Sequence, residues 1–497
     1  MSQIKELKIY FSKIKQLKYI NNLLNWDLQV YMPDGSNKGR ADLISLVGEL
    51  IHKKLISNKT ETLISKAEQE KDLGLIDMAI LREAKREYEK AIKIPTDLVV
   101  EIAKNASLGH KAWEKARKKS DFSIFRPYLT KMIHLQKQYA DLINIGESRY
   151  DSLLDDYEPG ATKKWLFSLF NNLTPKLQRI LKKLKSSEEE PDSSILERVY
   201  DPKKQWEFSN RVVEKLGFDF SIGRQDKSVH PFTTAIASED VRITTRIIDN
   251  FLPAGIFGTI HECGHALYDM GFMEEIHGTN LADGSSLGIH ESQSRMYENF
   301  VGRSKEFWKY WYPQLKNLFL ENLGDISLNQ FYQAINTVKP SLIRVEADEI
   351  TYSLHIILRF EIETMIFEDQ VEVDELPQVW DDKMIELLNI TPPNDAKGIL
   401  QDVHWSGGAF GYFPTYTLGN LYAAQIYNDA LAKNPEMRTE FTSGNFNTLL
   451  QYLRENVHQY GSIYHPRDLI QKIAGEALNP DYFITYLEEK FYPIYRV

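Results

Sequence analysis

The sequence predicts a mainly α-helical protein carrying one small antiparallel β-sheet. Segments with apolar residues three and four apart dominate the 497 residues. One short region is instead rich in alternating β-branched residues, and Gly/Pro-marked breaks separate the helical stretches.

The helical pattern is clearest over residues 4–24, 163–184 and 445–457. Breaks fall at Met32-Pro33-Asp34-Gly35, at Glu158-Pro159-Gly160 and in the polar run 185–194, which holds Glu188-Glu189-Glu190-Pro191. The region from His230 to Ile236 and the strictly alternating Asp240-Val241-Arg242-Ile243-Thr244-Thr245-Arg246 supply the expected sheet. No repeat of fixed period and no low-complexity tract argues for a solenoid or a linker array. Residues 1–497 are read as a single domain, with a divided core or two lobes at this length.

A formal charge of -10, from 60 basic and 70 acidic residues, offers no broad cationic face and argues against nucleic acid as partner. Cys263 is the single cysteine, so no intramolecular disulfide can form and a reducing, cytoplasmic setting is expected. The N-terminal residues scatter lysines at helical spacing and lack the apolar run of a secretory signal. The charge-free stretch 403–428 is broken by Gly407, Gly408, Gly411, Pro414 and Gly419, so it reads as a buried loop or site wall, not a membrane span.

The strongest local signal is His261-Glu262-Cys263-Gly264-His265. On a helix the two histidines, four residues apart, share a face and can hold one ion. Composition alone, 12 histidines and 70 acidic residues in 497 positions, gives roughly 0.04 chance matches to such a pattern. Cys263 points about 200° away from His261 and reads as packing. A catalytic zinc takes a third protein ligand and keeps a place for water. The extension that would supply a third histidine is absent, because Tyr268 and Gly271 occupy its positions.

Several acids compete for that third place. Residues 287–298 read as a second helix in which Glu291 and Glu298, two turns apart, share a face. Glu291 is the favoured ligand and Glu298 the group that orients a ligand histidine, with Asp269 its rival in that supporting role. His290 lies about 100° round the helix and is read as substrate-side or structural; Glu274 and Glu275 are expected to face water.

These residues resemble the carboxypeptidase Taq family of zinc carboxypeptidases. The likeness runs along nearly the whole chain, through Trp26-Asp27 with Met32-Pro33, Tyr157-Glu158-Pro159-Gly160, His230-Pro231-Phe232 and Asp240-Val241-Arg242-Ile243-Thr244. It continues through the two metal blocks, Ile343-Arg344-Val345-Glu346-Ala347-Asp348, Gly398-Ile399-Leu400-Gln401-Asp402-Val403-His404-Trp405 and Gly411-Tyr412-Phe413-Pro414-Thr415-Tyr416. Asp269-Met270, after the zinc motif, departs from the family pattern. The resemblance implies a large helical, zincin-like (gluzincin) fold with a deep substrate cleft, a homodimer, zinc held by His261, His265 and Glu291, and Glu262 as catalytic acid/base. One zinc per subunit is expected, with cobalt able to replace it.

The chemistry then expected is peptide hydrolysis by zinc-activated water, Glu262 taking and returning the proton. Tyr416 and His404, on a glycine-rich segment, are the candidates to stabilise the oxyanion, with Tyr412 the competing phenol. A terminal carboxylate calls for a guanidinium, and Arg344 and Arg242 are the candidates. The strand 240–246 is expected to offer an edge to an extended peptide, or else to lie inside the sheet. Single C-terminal residues would be released with broad specificity. The competing readings are an oligopeptidase or peptidyl-dipeptidase and, in another class, a zinc-stabilised peptide-binding protein without turnover. No membrane partner is expected.

Overall fold

The computed structural model describes residues 2–497, predominantly helical with one three-stranded sheet. Contacts divide the chain into two units, Met1–Ile92 with Asp192–Ile335 and Ala423–Ala477, and Lys93–Pro191 with Asn336–Tyr422 and Leu478–Val497.

The first unit opens with α1 (Gln3–Val30). Its residues Leu7, Phe11 and Ile14, at helical spacing, bury one face against Leu63, Ile64, Ala67 and Ala84. Each such side chain contributes about 1.5–3 kcal/mol by leaving water. Pro33 then separates α1 from α2 (Asn37–Leu55), a helix with no buried residue. Trp26, near the end of α1, stacks on the guanidinium groups of Arg224 and Arg242, 5.1 and 4.2 Å from its ring.

Those arginines face each other on the sheet, formed by β1 (Gly223–Lys227), β2 (Thr233–Ala237) and β3 (Asp240–Thr245) in the order β1-β3-β2. β2 pairs antiparallel with β3, as the alternation predicted, but β1 pairs with β3 in parallel, so the sheet is mixed and not antiparallel. β1 escapes sequence reading because its buried positions are polar: Gln225 donates to Thr259, and Asp226 is held by Arg224 and Tyr31. β3 is consequently the central strand and has no free edge for a peptide; the outer edges belong to β1 and β2.

Helix α3 (Leu252–Asp269) starts with Pro253 in its first turn and is buried along most of its length. α4 (Leu287–Arg295) is capped by the Ser286 hydroxyl, which accepts from the Ile289 N–H, and widens into a π-helical segment, Met296–Val301.

In the second unit, α5 (Thr351–Phe367) is buried except at Glu361 and Met365. The charge-free stretch divides in two: residues 404–413 form the expected loop, while Pro414 opens α6 (Pro414–Lys433). Proline at a helix start loses no hydrogen bond, so its presence does not imply continued loop. Among the described residues no helix is long and apolar enough to cross a membrane.

Candidate metal centre

Helical spacing places His261 and His265 on one face of α3, and a missing side chain lets α4 reach them. A Cβ on Gly264 would lie 2.5 Å from the Gln293 carbonyl oxygen and 2.7 Å from Ser294 Cα, so only glycine permits this approach of the two helices. The approach delivers Glu291, whose Oε2 lies 3.6 Å from His261 Nε2 and 3.3 Å from His265 Nε2. One donor atom from each of the three residues falls within 4.8 Å of the others.

Two imidazoles and one carboxylate form a donor set suited to a catalytic zinc. Bonds of about 2.1 Å at tetrahedral angles separate neighbouring ligand atoms by roughly 3.4 Å, which the two observed distances bracket. The residues therefore fit a single divalent ion.

Proton positions follow from the outer partners. His261 Nδ1 lies 2.9 Å from Glu298 Oε2, and donating that proton leaves the Nε2 lone pair for the metal. His265 Nδ1 lies 2.6 Å from His290 Nδ1, and His290 Nε2 lies 3.0 Å from Asp269. A neutral His265 can donate to His290, which donates in turn to Asp269, again leaving Nε2 free. Asp269 thus reaches His265 through His290, and Glu298 contacts His261 directly, so the two rivals engage different histidines. Burial lowers the His265 pKa to about 3, keeping the imidazole neutral.

The carboxylates are held in different states. Burial opposes charge on Glu291, yet Arg295 and the two histidines keep it well below the usual carboxylate range. Arg295 Nε donates to Oε1 at 2.7 Å and Ser294 to Oε2 at 3.0 Å. Glu298 is also pushed upward by burial, but His261 and Arg295 bring it down to about 2. Glu262 is 7% exposed, and burial pushes its carboxyl above the usual range against the pull of His261 and the Thr233 hydroxyl, which donates to Oε2 at 2.7 Å. Cys263 is wholly buried, and burial pushes its thiol up, as expected of packing. Glu274 and Glu275 face water.

Arg242 is paired through Nε and Nη2 with Asp240 and lies over Trp26. The remaining candidates lie in the second unit. Tyr416 meets Tyr412 at 5.2 Å between ring centroids and His404 at 6.4 Å. Burial lowers the His404 pKa to about 4 and holds the Tyr416 phenol well above its ordinary value, so both are neutral near pH 7. The Arg344 guanidinium sits 5.0 Å from the Tyr416 ring. Its Nε and Nη2 bond to Asp402 and its Nη1 to Tyr352, an arrangement that leaves it 5% exposed.

Sequence reading missed the bridging position of His290, the Thr233 contact with Glu262 and the arginines behind Glu291 and Glu298. The i,i+4 spacing of Glu291 and Arg295 was an available signal. The Thr233 contact joins strand to helix and has no local signature.

Comparison with known proteins shows the family of the chain. Residues 6–491 match the family described as Carboxypeptidase Taq (M32) metallopeptidase. Carboxypeptidase 1 of Bacillus subtilis (strain 168) is 42% identical over 98% of each chain, and Thermostable carboxypeptidase 1 of Thermus thermophilus is 41% identical over 96% of each. The crystal structure of the M32 carboxypeptidase from Deinococcus radiodurans R1 superposes with a TM-score of 0.97 at 34% identity, covering 100% of both chains.

Proposed function

Since the chain belongs to the carboxypeptidase Taq (M32) family and is a metallocarboxypeptidase, we propose that it removes single C-terminal residues from peptides with broad specificity, using one zinc ion held by His261, His265 and Glu291. The observation that carries the metal assignment is the convergence of both imidazole Nε2 atoms on one oxygen of Glu291. Cobalt has the same need for nitrogen and oxygen donors and can replace zinc.

The ion would supply Lewis-acid polarisation of water and of the scissile carbonyl. Glu262 takes the proton of the attacking water and returns it to the departing amine. Thr233 holds Glu262 Oε2, which orients Oε1 for that exchange. A carboxyl whose pKa is raised above its usual range is the stronger base, so it takes the proton from water more readily and keeps it bound until the amine leaves. Tyr416 and His404, both neutral, are the proposed hydrogen-bond partners of the developing oxyanion.

The outer edge of β2 is the proposed seat of the peptide main chain. The Thr244 N–H bonds to the Phe232 carbonyl, and strand alternation then turns the main-chain groups of Thr233 and Ala235 away from β3. Asn22 of α1 donates to the Ala235 carbonyl at 3.0 Å, which leaves Thr233, beside Glu262, as the edge position for substrate. Main-chain pairing of this kind is indifferent to side chains and supports broad specificity. For the terminal carboxylate, Arg344 and Arg242 would each have to exchange an aspartate partner. Arg242, with the more exposed side chain, 15% against 5%, does so at lower cost and is our choice. The placement of Arg344 suits it to holding Tyr416.

A homodimer is also proposed. Leu43, Leu46 and Leu50 expose an apolar stripe on α2 that a second copy would cover. The single buried thiol fits a reducing, cytoplasmic setting.

Mass spectrometry of peptide ladders, with free and C-terminally amidated peptides, tests the exopeptidase reading. Stepwise loss of single residues is expected from free peptides only, and chelator should stop it. Equal cleavage of amidated peptides would instead favour an oligopeptidase or peptidyl-dipeptidase.

A further inference from the structure

Outside the metal centre, one wholly buried carboxylate stands out because two of its donors come from opposite ends of a single loop. Glu363 on α5 is 0% exposed. Its Oε1 accepts from Trp405 Nε1 at 2.7 Å, and its Oε2 from the Gly411 N–H at 2.9 Å and the Tyr150 hydroxyl at 2.7 Å. Trp405 follows His404 in the chain and Gly411 precedes Tyr412, so a single carboxylate grips both ends of the loop 404–413.

The remainder of the loop is built around that grip. Gly408 and Gly411 both have a φ of 82°, a left-handed conformation costly for other residues. A Cβ on Gly411 would lie 2.8 Å from the Leu153 carbonyl carbon, so glycine is also what lets this N–H come within reach. The Ala409 N–H bonds back to the His404 carbonyl, and Trp405 stacks on Phe410 at 5.9 Å. Tyr157, on the other side of the loop, meets the Tyr412 ring edge-on at 5.2 Å. Packing alone could fill this space with an apolar side chain. A buried carboxylate is destabilising unless its partners are well placed, and here burial still pushes it up to about 7 despite its three donors.

We propose that Glu363 is a positioning residue for hydrolysis: by clamping Trp405 and Gly411 it fixes the loop that presents His404 and leads into Tyr416. The inference rests on the proposed role of those two residues in oxyanion stabilisation. It adds that their geometry is set from α5, by a group that does not touch the substrate.

Glu363→Gln separates clamping from bulk. The amide keeps the side-chain volume and one oxygen for Gly411 and Tyr150, but turns an N–H toward the N–H of Trp405. Zinc-loaded enzyme of this variant should show faster amide exchange confined to residues 404–413, with kcat reduced about tenfold to a hundredfold and with KM and zinc content unchanged. Trp405→Phe removes the donor from the same arm and should reproduce the loss, and the double variant should fall no further. Tyr416→Phe separates the two layers of the argument: if it keeps full kcat, the oxyanion role of Tyr416 fails, while confined fast exchange in Glu363→Gln still supports the clamp. Unchanged exchange at 404–413, full kcat in Glu363→Gln, or exchange that rises evenly over the chain would each overturn the proposal.

Discussion

Glu262→Gln should lower kcat by about a hundredfold to ten-thousandfold, the range of a lost general base, while zinc content remains that of the parent enzyme. The substitution is close to isosteric and leaves His261, His265 and Glu291 in place, so the metal set is untouched. It replaces the oxygen that takes the proton from water by an amide that cannot hold it. The Thr233 hydroxyl, which donates to Glu262 Oε2, can still donate to the amide oxygen, so the helix and β2 keep their contact. Steady-state kinetics alongside metal analysis of the same sample checks both halves. An active variant would remove Glu262 from the mechanism, and a metal-free one would make it a structural support of the site.

The second large effect concerns stability. Asp402 lies between two buried guanidinium groups: Oδ1 accepts from Arg344 and Oδ2 from Arg359, whose side chains are 5% and 0% exposed. Asp402→Asn keeps the shape but leaves two buried positive charges with no counter-charge, and breaking buried pairs in this way costs about 3–5 kcal/mol. Burial opposes its charge, but Arg344 and Arg359 hold Asp402 well below the ordinary carboxylate value of 3.8. A depressed carboxyl stabilises the fold in full above the unfolded value, and that stabilisation is lost as pH falls below it toward the folded one. Urea unfolding should therefore show a gap between parent and variant that is constant from neutral pH down to about 5 and narrows below about 4. A gap that does not change with pH would show that the cost is one of shape and not of charge.

What could be read in the sequence follows the range of each interaction. His261 and His265 pair through the pitch of one helix, which is local, and Glu291 with Glu298 could be placed on one face by the same reasoning. The long helices were visible because their apolar spacing is periodic; 163–184 differs from the observed Lys163–Lys185 by one residue. β2 and β3 showed in their β-branched residues, but β1 did not, since its buried glutamine and aspartate are satisfied by partners far along the chain. Partners on other elements were equally out of reach: His290 gains its place between His265 and Asp269 only when α4 packs on α3. The two arginines fall on either side of the same limit. Their charge made them candidates for a substrate carboxylate; Asp402, which occupies Arg344, was recognisable only once the loop was in place, whereas Asp240 shares a strand face with Arg242 and was within reach of the alternation. Glu363 had no sequence signal at all, because its partners, Tyr150 on one segment and Trp405 with Gly411 on another, lie far from it along the chain.

Zinc-edge X-ray absorption of the loaded enzyme tests the metal assignment most directly. The account predicts a first shell of nitrogen and oxygen at about 2.0–2.1 Å, with scattering from two imidazoles and none from sulfur, and loss of bound zinc in Glu291→Ala. A sulfur shell near about 2.3 Å, a third imidazole, or an unaltered shell in Glu291→Ala would contradict it.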